Sequence, residues 1–513
     1  MRRFSTIPWA AMLLAIALSG YVRLRLLQVP LERDEGEYAY AGQLILEGVP
    51  PYALARNMKL PGAYAAYAVL MRVFGETIGG VHLGLMLVNA AAALLVFLLG
   101  RRLFGARGGL AACAAYAVMS VGDAVMGTQA HATHFVVLPA LGGILLLLRA
   151  TDTGRIDLVI WSGLLFGLAC LAKQHGVFFG VFGALWLAWI YRRRAWPRLA
   201  LFGAALLLPF GATCLILWRA GVFRQFWFWT FTYAREYVLE DPLSGAAARF
   251  RDSMRPLLTE NAGLWLLALG GLALVWRRRK TNAEAALVTT GLLVLSFAAT
   301  VPGFYFRAHY FVMVLPAAAL LAGAAVANGQ TAAAWLFAGA LAFSFIWQRE
   351  PMFRMTPIQL SRELYGTNPF PEAIRVAAYI KAHTAGGERI AVLGSEPEIC
   401  FYARRRSATA YLYMYPLTES QPYALTMQQE MIREVAGQRP EYVVFVHVEG
   451  SWLADLDDSA PPLDWWARYR DANYDLVGVA DIVSEERTEY RWGADAPGYR
   501  PQGDDYLQVY RRR

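Results

Sequence analysis

Residues 7–52 read IPWAAMLLAIALSGYVRLRLLQVPLERDEGEYAYAGQLILEGVPPY, an apolar segment followed at once by an acidic one. The apolar part, residues 7–28, has the length of a bilayer-crossing helix, which needs about 20 mostly apolar residues. Asp34 and Glu35 follow within a few residues. Because an unpartnered carboxylate is costly to remove from water beside a bilayer, the acidic pair indicates a chemical role at the membrane surface.

The whole chain has the composition of a polytopic membrane protein. Of its 513 residues, 57% are hydrophobic and only 17% are charged, and the mean hydropathy is +0.35. Such values exclude an ordinary soluble domain. The net charge of +9 would suit nucleic acid, but the basic residues cluster in short loops between apolar segments, so we expect no nucleic-acid partner. The four cysteines indicate neither a disulfide framework nor a cysteine metal site.

About eleven segments of the chain have the length and composition of membrane helices. They lie near residues 7–28, 78–100, 108–124, 130–148, 157–173, 175–191, 198–218, 262–276, 284–301, 309–327 and 331–348. The sequence therefore predicts an α-helical polytopic membrane domain over residues 1–350.

The arginine-rich stretches predict the orientation of these segments. They stand at residues 2–3, 101–107, 192–198 and 277–280. No small-x-small cleavage site follows the first segment, so an uncleaved helix is favoured over a signal peptide. With the N-terminus in the cytoplasm, about eleven crossings leave every basic cluster cytoplasmic, as the positive-inside rule requires. We expect a multi-pass protein of the cell inner (plasma) membrane, with external loops at 29–77 and 219–260.

The polar tail, residues 370–513, predicts a small extracytoplasmic α/β domain. Short β-rich runs alternate there with helical patterns. The runs are residues 389–394, 441–448, 474–482 and 506–512, and a helical stretch covers 426–435.

The first external loop contains the acidic pair and an amphipathic pattern. Residues 37–46 have the period of a helix lying on the membrane interface. An alternative to a chemical role for Asp34 is that it caps this helix. For Glu35 the alternative is that it holds the loop together.

Several motifs, in order, resemble bacterial GT-C glycosyltransferases of the family 39 type, related to protein O-mannosyltransferases and the aminoarabinose transferase of lipid A. The acidic pair is followed by Tyr-Ala, a Gly-Pro-Tyr turn and Lys59-x-Pro-Gly. LAKQHG (171–176), FRAHYF (306–311) and RIAVLGSEPEICFYARRR (389–406) continue the resemblance. It covers most of the chain, although no single motif is highly specific.

The resemblance implies a glycosyltransferase, of hexosyl or pentosyl type, that moves a sugar from a polyprenyl-phosphate donor to an acceptor at the outer face. The acceptor could be a protein, a lipid or a glycan. In this family the first-loop aspartate, Asp34 here, is the essential carboxylate, and inverting single displacement is expected. We include Glu35 and Asp123 as further candidate catalytic residues.

A leaving lipid phosphate requires cations and hydrogen-bond donors around it. Arg33 is one candidate on the outer side. The other candidates for binding phosphate or sugar are Lys59, Lys173, His175, Arg307, His309 and Tyr310. The alternatives are a snorkelling lysine for Lys173 and plain loop charges for Arg33, Lys59 and Arg307. We expect His175 and His309 to shape the phosphate pocket rather than to act as general bases. The aromatic stretch in loop 219–260, which contains Arg235 and Glu236, predicts either an interfacial belt or a lid over the donor.

His131 and His134 are three residues apart, a spacing that can hold a metal ion. A hydrogen-bonded pair lining a cavity is the reading we favour. In the resembled family an acidic residue stands near this position, so the histidines are a departure and Asp123 becomes the candidate for a second carboxylate. We assign no metal ligands and no certain cofactor, and a divalent metal stays open.

Two readings from other classes compete with an enzyme. A transporter or lipid flippase would place polar residues at the membrane midplane, often in two related halves, whereas the candidates here gather at helix ends and no repeat is visible. A membrane scaffold with an external binding domain would leave the first-loop carboxylates dispensable. We therefore favour the glycosyltransferase.

Overall fold

The computed structural model describes residues 6–240, 243–327, 329–453 and 461–513. Within these ranges helices fill the chain up to residue 383, and every strand follows. The α-helices are α1 (Ile7–Arg25), α2 (Arg33–Leu46), α3 (Gly62–Phe74), α4 (Ile78–Met119), α5 (Ala132–Thr153), α6 (Ile156–Ala172), α7 (Val177–Tyr191), α8 (Trp196–Arg219), α9 (Phe223–Trp227), α10 (Ala234–Glu240), α11 (Ala246–Glu260), α12 (Ala262–Arg277), α13 (Ala283–Ala298), α14 (Leu315–Val326), α15 (Thr331–Trp347), α16 (Pro357–Tyr365), α17 (Phe370–His383), α18 (Glu398–Ala403), α19 (Tyr415–Thr418), α20 (Ala424–Gln438), α21 (Glu449–Trp452) and α22 (Pro461–Asn473).

Every predicted apolar segment contains a helix. Helix α4 covers two of the segments and is kinked at Gly105, whose φ of +82° favours glycine. By length and composition four described helices can cross a bilayer, namely α1, α4, α5 and α8, and the pair α11–α12, bent by 94°, would make a fifth. Five other apolar helices have 10–17 residues. The count of about eleven crossings, the orientation and the division into domains therefore stay predictions.

Small residues bring the central helices together. Helix α14 is buried along almost its whole length. A Cβ on Gly271 would lie 1.8 Å from the Leu321 carbonyl oxygen, and one on Gly323 would lie 2.5 Å from that of Gly108. These glycines therefore let α12 and α4 approach the α14 backbone closely, which is the usual packing of apolar helices in membranes.

A six-stranded mixed sheet forms the core of the C-terminal region, as the α/β pattern predicts. The strands are β1 (Arg389–Leu393), β2 (Arg406–Ser407), β3 (Tyr442–His447), β4 (Tyr474–Ser484), β5 (Arg487–Trp492) and β6 (Asp505–Arg512). They lie in the order β2-β1-β3-β6-β4-β5. Strand β1 is parallel to β2 and β3, and the remaining pairs are antiparallel. The four predicted strands and the helix α20 are confirmed, whereas β2 and β5 were not predicted.

Helix α2 is clamped between the C-terminal region and the helical bundle. Arg33 pairs with Glu396 at 2.9 Å and donates from Nε to the Ser395 carbonyl at 2.7 Å. The Tyr40 hydroxyl accepts from the Ser407 backbone N–H at 2.7 Å. Residues Glu35 to Leu44 are all buried, so the expectation of an interfacial helix is wrong. Its partly polar sequence is accommodated by partners on both sides rather than by lipid headgroups.

Candidate active site

The first turn of α2 leaves Asp34 available for the site. Glu32 is the N-cap residue, and its side chain accepts from the Glu35 backbone N–H at 2.8 Å. The Glu35 carboxylate accepts in return from the Glu32 backbone N–H at 3.4 Å. Since this reciprocal capping box satisfies the helix N-terminus, Asp34 is not needed as the cap.

Asp34 is held in an ionised state by Lys59. The Lys59 ammonium donates to Asp34 Oδ1 and to Glu37 Oε2, both at 2.6 Å. Burial raises the pKa of Asp34, but Lys59, through its charge and its hydrogen bond, together with His131 and His309 holds that pKa well below its usual range. Burial likewise lowers the pKa of Lys59, yet Asp34 and Glu37 together hold it well above its usual value. The result is a charged lysine between two carboxylates.

Asp34 faces a cavity of about 740 Å³ between the bundle and the C-terminal region. Eight of the residues predicted for catalysis or for binding phosphate or sugar line it, from segments distant in sequence. They are Arg33, Asp34, Lys59, Lys173, His175, Arg307, His309 and Tyr310. A volume of this size accommodates a sugar and a phosphate group together.

Glu35, although adjacent to Asp34, lies outside this cavity. It is fully buried and accepts from the Ala130 backbone N–H, and one of its oxygens lies 2.9 Å from His82 Nε2. Neighbouring residues on a helix point about 100° apart, so Glu35 is directed into the bundle. The structure therefore gives Glu35 a position that ties α2 to α4 and to the segment before α5, and the geometry offers no support for a catalytic role.

Asp123 also lies outside the cavity. After α4 the chain turns tightly, with the Gly127 N–H donating to the Gly122 carbonyl and Met126 in the left-handed region at φ +51°. This turn directs Met126 toward the cavity. Ala124, the residue after Asp123, donates its backbone N–H to Glu260 Oε2 at 3.1 Å, so this turn lies against the end of α11. Proximity in sequence to His131 therefore did not bring Asp123 to Asp34.

Lys173 and Arg307 line the cavity, and no carboxylate of the described residues pairs with either. The chain leaves helical geometry at Lys173, whose φ and ψ are −160° and 140°, and the Nζ lies 4.3 Å from the centre of the Tyr310 ring. Arg307 lies over Tyr305 and has the Tyr237 hydroxyl 3.5 Å from one Nη. Both are therefore available to a negatively charged ligand.

The imidazole rings of His131 and His309 stack with centres 4.0 Å apart, beside Asp34. One ligand atom from each of Asp34, His131 and His309 lies within 4.8 Å of the others, and no other trio of His, Cys, Asp or Glu in the described ranges does so. Mixed nitrogen and oxygen donors suit Zn²⁺. Charge balance alone does not require a metal, because Lys59 already compensates Asp34. His134 is buried without a hydrogen-bond partner among the described residues and does not line the cavity.

The aromatic stretch of loop 219–260 lines the same cavity. A π-helical turn, Phe228–Tyr233, follows α9, and Arg235 lies just beyond it on the cavity wall. Glu236, expected near the donor, is not on that wall.

Several residues in or beside the cavity were not predicted. Glu37, which accepts from Lys59 without lining the cavity, shares a helix face with Asp34 at i, i+3, a spacing that could have revealed it. The C-terminal region contributes others, for which no local pattern gives a signal: Tyr365, Asn368, Phe370, Tyr413, Tyr415, Pro416, Glu419 and Leu453. The Tyr413 hydroxyl lies 3.0 Å from Asp34 Oδ1, 379 positions away in the chain. The C-terminal region therefore completes the site.

Comparison with known proteins gives matches in sequence. Residues 59–218 match the family model described as dolichyl-phosphate-mannose-protein mannosyltransferase. An undecaprenyl phosphate-alpha-4-amino-4-deoxy-L-arabinose arabinosyl transferase of Pseudomonas paraeruginosa is 28% identical over 411 residues, which cover 74% of this chain and 70% of that protein.

Solved structures match over nearly the whole chain. ArnT from Cupriavidus metallidurans, bound to undecaprenyl phosphate, has a TM-score of 0.62 at 15% identity and covers 97% of both chains. The archaeal oligosaccharyltransferase AglB from Archaeoglobus fulgidus has a TM-score of 0.51 at 13% identity and covers 96% of this chain and 75% of its own. At these identities the likeness shows the fold alone.

Together these similarities confirm the resemblance to GT-C glycosyltransferases that the sequence predicts. They support a membrane enzyme that transfers a sugar from a lipid-linked donor, similar to the aminoarabinose transferases and the O-mannosyltransferases. Neither the transporter reading nor the scaffold reading gains support from them.

Proposed function

We propose that this protein transfers a sugar from a polyprenyl phosphate, of the undecaprenyl type named in its relatives, to an acceptor at the outer face of the membrane. The observation that carries the proposal is the charge arrangement of the cavity. One wall holds an ionised, lysine-compensated Asp34, and another holds Lys173 and Arg307 with no described carboxylate paired to them.

The two unpaired cations suit the lipid phosphate. In the donor, the phosphate joins the polyprenol to the sugar and carries one negative charge. When the bond between the anomeric carbon and the phosphate oxygen breaks, the departing phosphate gains a second negative charge. Cations already in position stabilise this developing charge more than the ground state, which lowers the barrier.

Asp34 suits the role of base toward the acceptor. An acceptor hydroxyl or amine attacks the anomeric carbon, and its proton passes to the Asp34 carboxylate as the new bond forms. Lys59 keeps that carboxylate ionised, and the Tyr413 hydroxyl at 3.0 Å fixes its orientation. A base for the acceptor and cations for the leaving phosphate suffice for a single displacement with inversion, which needs no covalent nucleophile.

The aromatic segment beside the cavity suits the lipid portion of the donor. Phe231, Tyr233 and Tyr237 line the cavity, and the centre of the Phe231 ring lies 4.5 Å from that of the exposed Trp227 in α9. Aromatic side chains at this density are typical of the membrane–water interface, where a polyprenyl chain would leave the site toward the bilayer.

The proposal is tested with purified protein in detergent and a panel of undecaprenyl-phosphate sugars. Release of undecaprenyl phosphate in the presence of cell-envelope acceptor fractions is measured for the wild type and for Asp34→Asn. Acceptor-dependent release by the wild type and its loss in the variant would support the proposal. Equal release by both proteins would overturn the role of Asp34, and no release from any donor would overturn the carrier.

A further inference from the structure

A second group of acidic side chains lies outside the catalytic cavity, where α11 ends and the chain bends into α12. Glu260 is the last residue of α11, and Asp123 lies in the turn that follows α4. Glu260 Oε2 accepts from the backbone N–H of Ala124, the residue after Asp123, at 3.1 Å. No cation of the described residues pairs with either carboxylate. Such a group is unfavourable without a compensating positive charge or a proton.

A buried amide oxygen points into the same space. Gln348 is 3% exposed, and its Oε1 has no hydrogen-bond donor among the described residues. This oxygen lies 2.7 Å from the position that a Cβ on Gly122 would take, and Glu260 Oε2 lies 3.1 Å from the same position. Two acceptor oxygens from different segments therefore lie beside the same small space, which a side chain at position 122 would fill. We call this space the cradle.

We propose that Asp123, Glu260 and Gln348 form a binding site for Ca²⁺. The donors are carboxylate and amide oxygens alone, which suit a hard divalent cation. Both carboxylates are only partly buried, so water can complete the coordination. Ca²⁺ suits this set better than Mg²⁺, because it accepts an irregular group of oxygens and a larger coordination number.

A cation bound in this site would connect three segments of the chain. These are the end of α11, the end of α15 and the turn after α4. The same turn contains Met126, which lines the catalytic cavity, and leads to His131 beside Asp34. The Ala124 backbone N–H already donates to Glu260 Oε2 at 3.1 Å, which holds two of these segments together. A bound cation would stiffen this corner of the cavity without contacting the substrate.

The experiment measures Ca²⁺ binding by the full chain in detergent after treatment with a chelator. Isothermal titration should give one Ca²⁺ per chain, with a Kd on the order of 10⁻⁴–10⁻³ M, the range of extracellular sites. At Ca²⁺ about tenfold above that Kd, the unfolding temperature should rise measurably, because the ion binds only the folded state.

Two variants and two controls decide the outcome. Gly122→Ala keeps both carboxylates but fills the cradle, and its φ of −69° allows alanine. This variant and Glu260→Gln should both lose the Ca²⁺-dependent rise. Glu485→Gln, an exposed carboxylate elsewhere, should keep it, and so should Asp34→Asn, which removes a ligand from the histidine cluster.

Any of four results would overturn the proposal. The first is a wild type that binds no Ca²⁺, which can be measured whether or not the variants fold. The second is a Gly122→Ala variant that responds to Ca²⁺ as the wild type does. The third is loss of the response in Asp34→Asn, which would place the ion in the catalytic cavity. The fourth is a wild type whose unfolding temperature depends on pH but not on Ca²⁺, which would show that the carboxylates hold a proton instead.

Discussion

Lys59 Nζ lies 2.6 Å from Asp34 Oδ1, although the two residues are 25 positions apart in the chain. The same ammonium donates a second hydrogen bond to Glu37 Oε2, so both of these contacts are with carboxylates. The sequence assigns Lys59 to the lipid phosphate, whereas this geometry makes it a partner of the carboxylate. A buried base needs such a partner, because burial alone favours its protonated form.

Replacement of Asp34 by asparagine should lower kcat by about 10²-fold or more, the usual contribution of a positioned base. The side chain keeps its size and its hydrogen bond to Tyr413, so the unfolding temperature should change little. Initial rates of undecaprenyl phosphate release, measured beside thermal unfolding, check both statements. A variant that is folded and within a few-fold of wild-type activity would contradict the role of Asp34.

Lys59→Gln should shift the pH profile of kcat/KM toward higher pH. With Lys59 present, the pKa of Asp34 lies well below its usual range, so the base is ionised throughout the neutral region. Without the ammonium, burial and Glu37 favour the protonated acid, and the pKa of Asp34 rises. Activity should therefore fall at acidic pH and recover partly as the pH increases. A uniform loss at every pH would instead indicate that Lys59 acts on the phosphate.

Lys173→Gln and Arg307→Gln should each lower kcat/KM for the lipid donor by about 10–100-fold, since each removes one charge-assisted contact to the leaving phosphate. The acceptor KM should change less. Arg433→Gln, an exposed arginine of α20, is the matched control and should be neutral. Donor kinetics at saturating acceptor give the comparison, and a donor kcat/KM unchanged in both variants would refute the proposed phosphate site.

Glu35→Gln should destabilise the protein rather than disable its chemistry. The buried carboxylate contacts His82 and the Ala130 N–H, and loss of one partner in a buried charged contact costs about 3 kcal/mol or more. The unfolding temperature should fall, whereas kcat per folded molecule should stay within a few-fold of wild type. A stable but inactive protein would return Glu35 to the catalytic candidates.

Tyr413→Phe should lower kcat about fivefold, because it removes one hydrogen bond worth about 1 kcal/mol from Asp34. The ring is retained, so the contact of the C-terminal region with the cavity should persist. Tyr474→Phe is a control of the same chemistry, since that buried hydroxyl donates to the Pro440 carbonyl within the C-terminal region and does not line the cavity. Parallel rate and unfolding measurements on the two variants separate catalysis from folding.

Local patterns predict most of the fold. Segment length and apolar composition suffice to locate the bundle helices, because a membrane helix satisfies its own backbone hydrogen bonds. Alternation of strand and helix patterns likewise predicts β1, β3, β4 and β6. The two-residue strand β2 and the hairpin strand β5 were missed, since β2 is too short for any period and β5 is mostly half-buried and polar.

The sequence by itself determined the class of protein and the ordered motifs, and it indicated Asp34 as the first candidate base. Only the tertiary structure showed that helix geometry turns Asp34 toward the cavity and Glu35 into the bundle. Only the tertiary structure shows that Lys59 binds two carboxylates and that no described carboxylate pairs with Lys173 or Arg307. It places Asp123 outside the cavity. It also brought Tyr413 to Asp34 across most of the chain. Such pairings depend on how distant segments pack, and no local period records that.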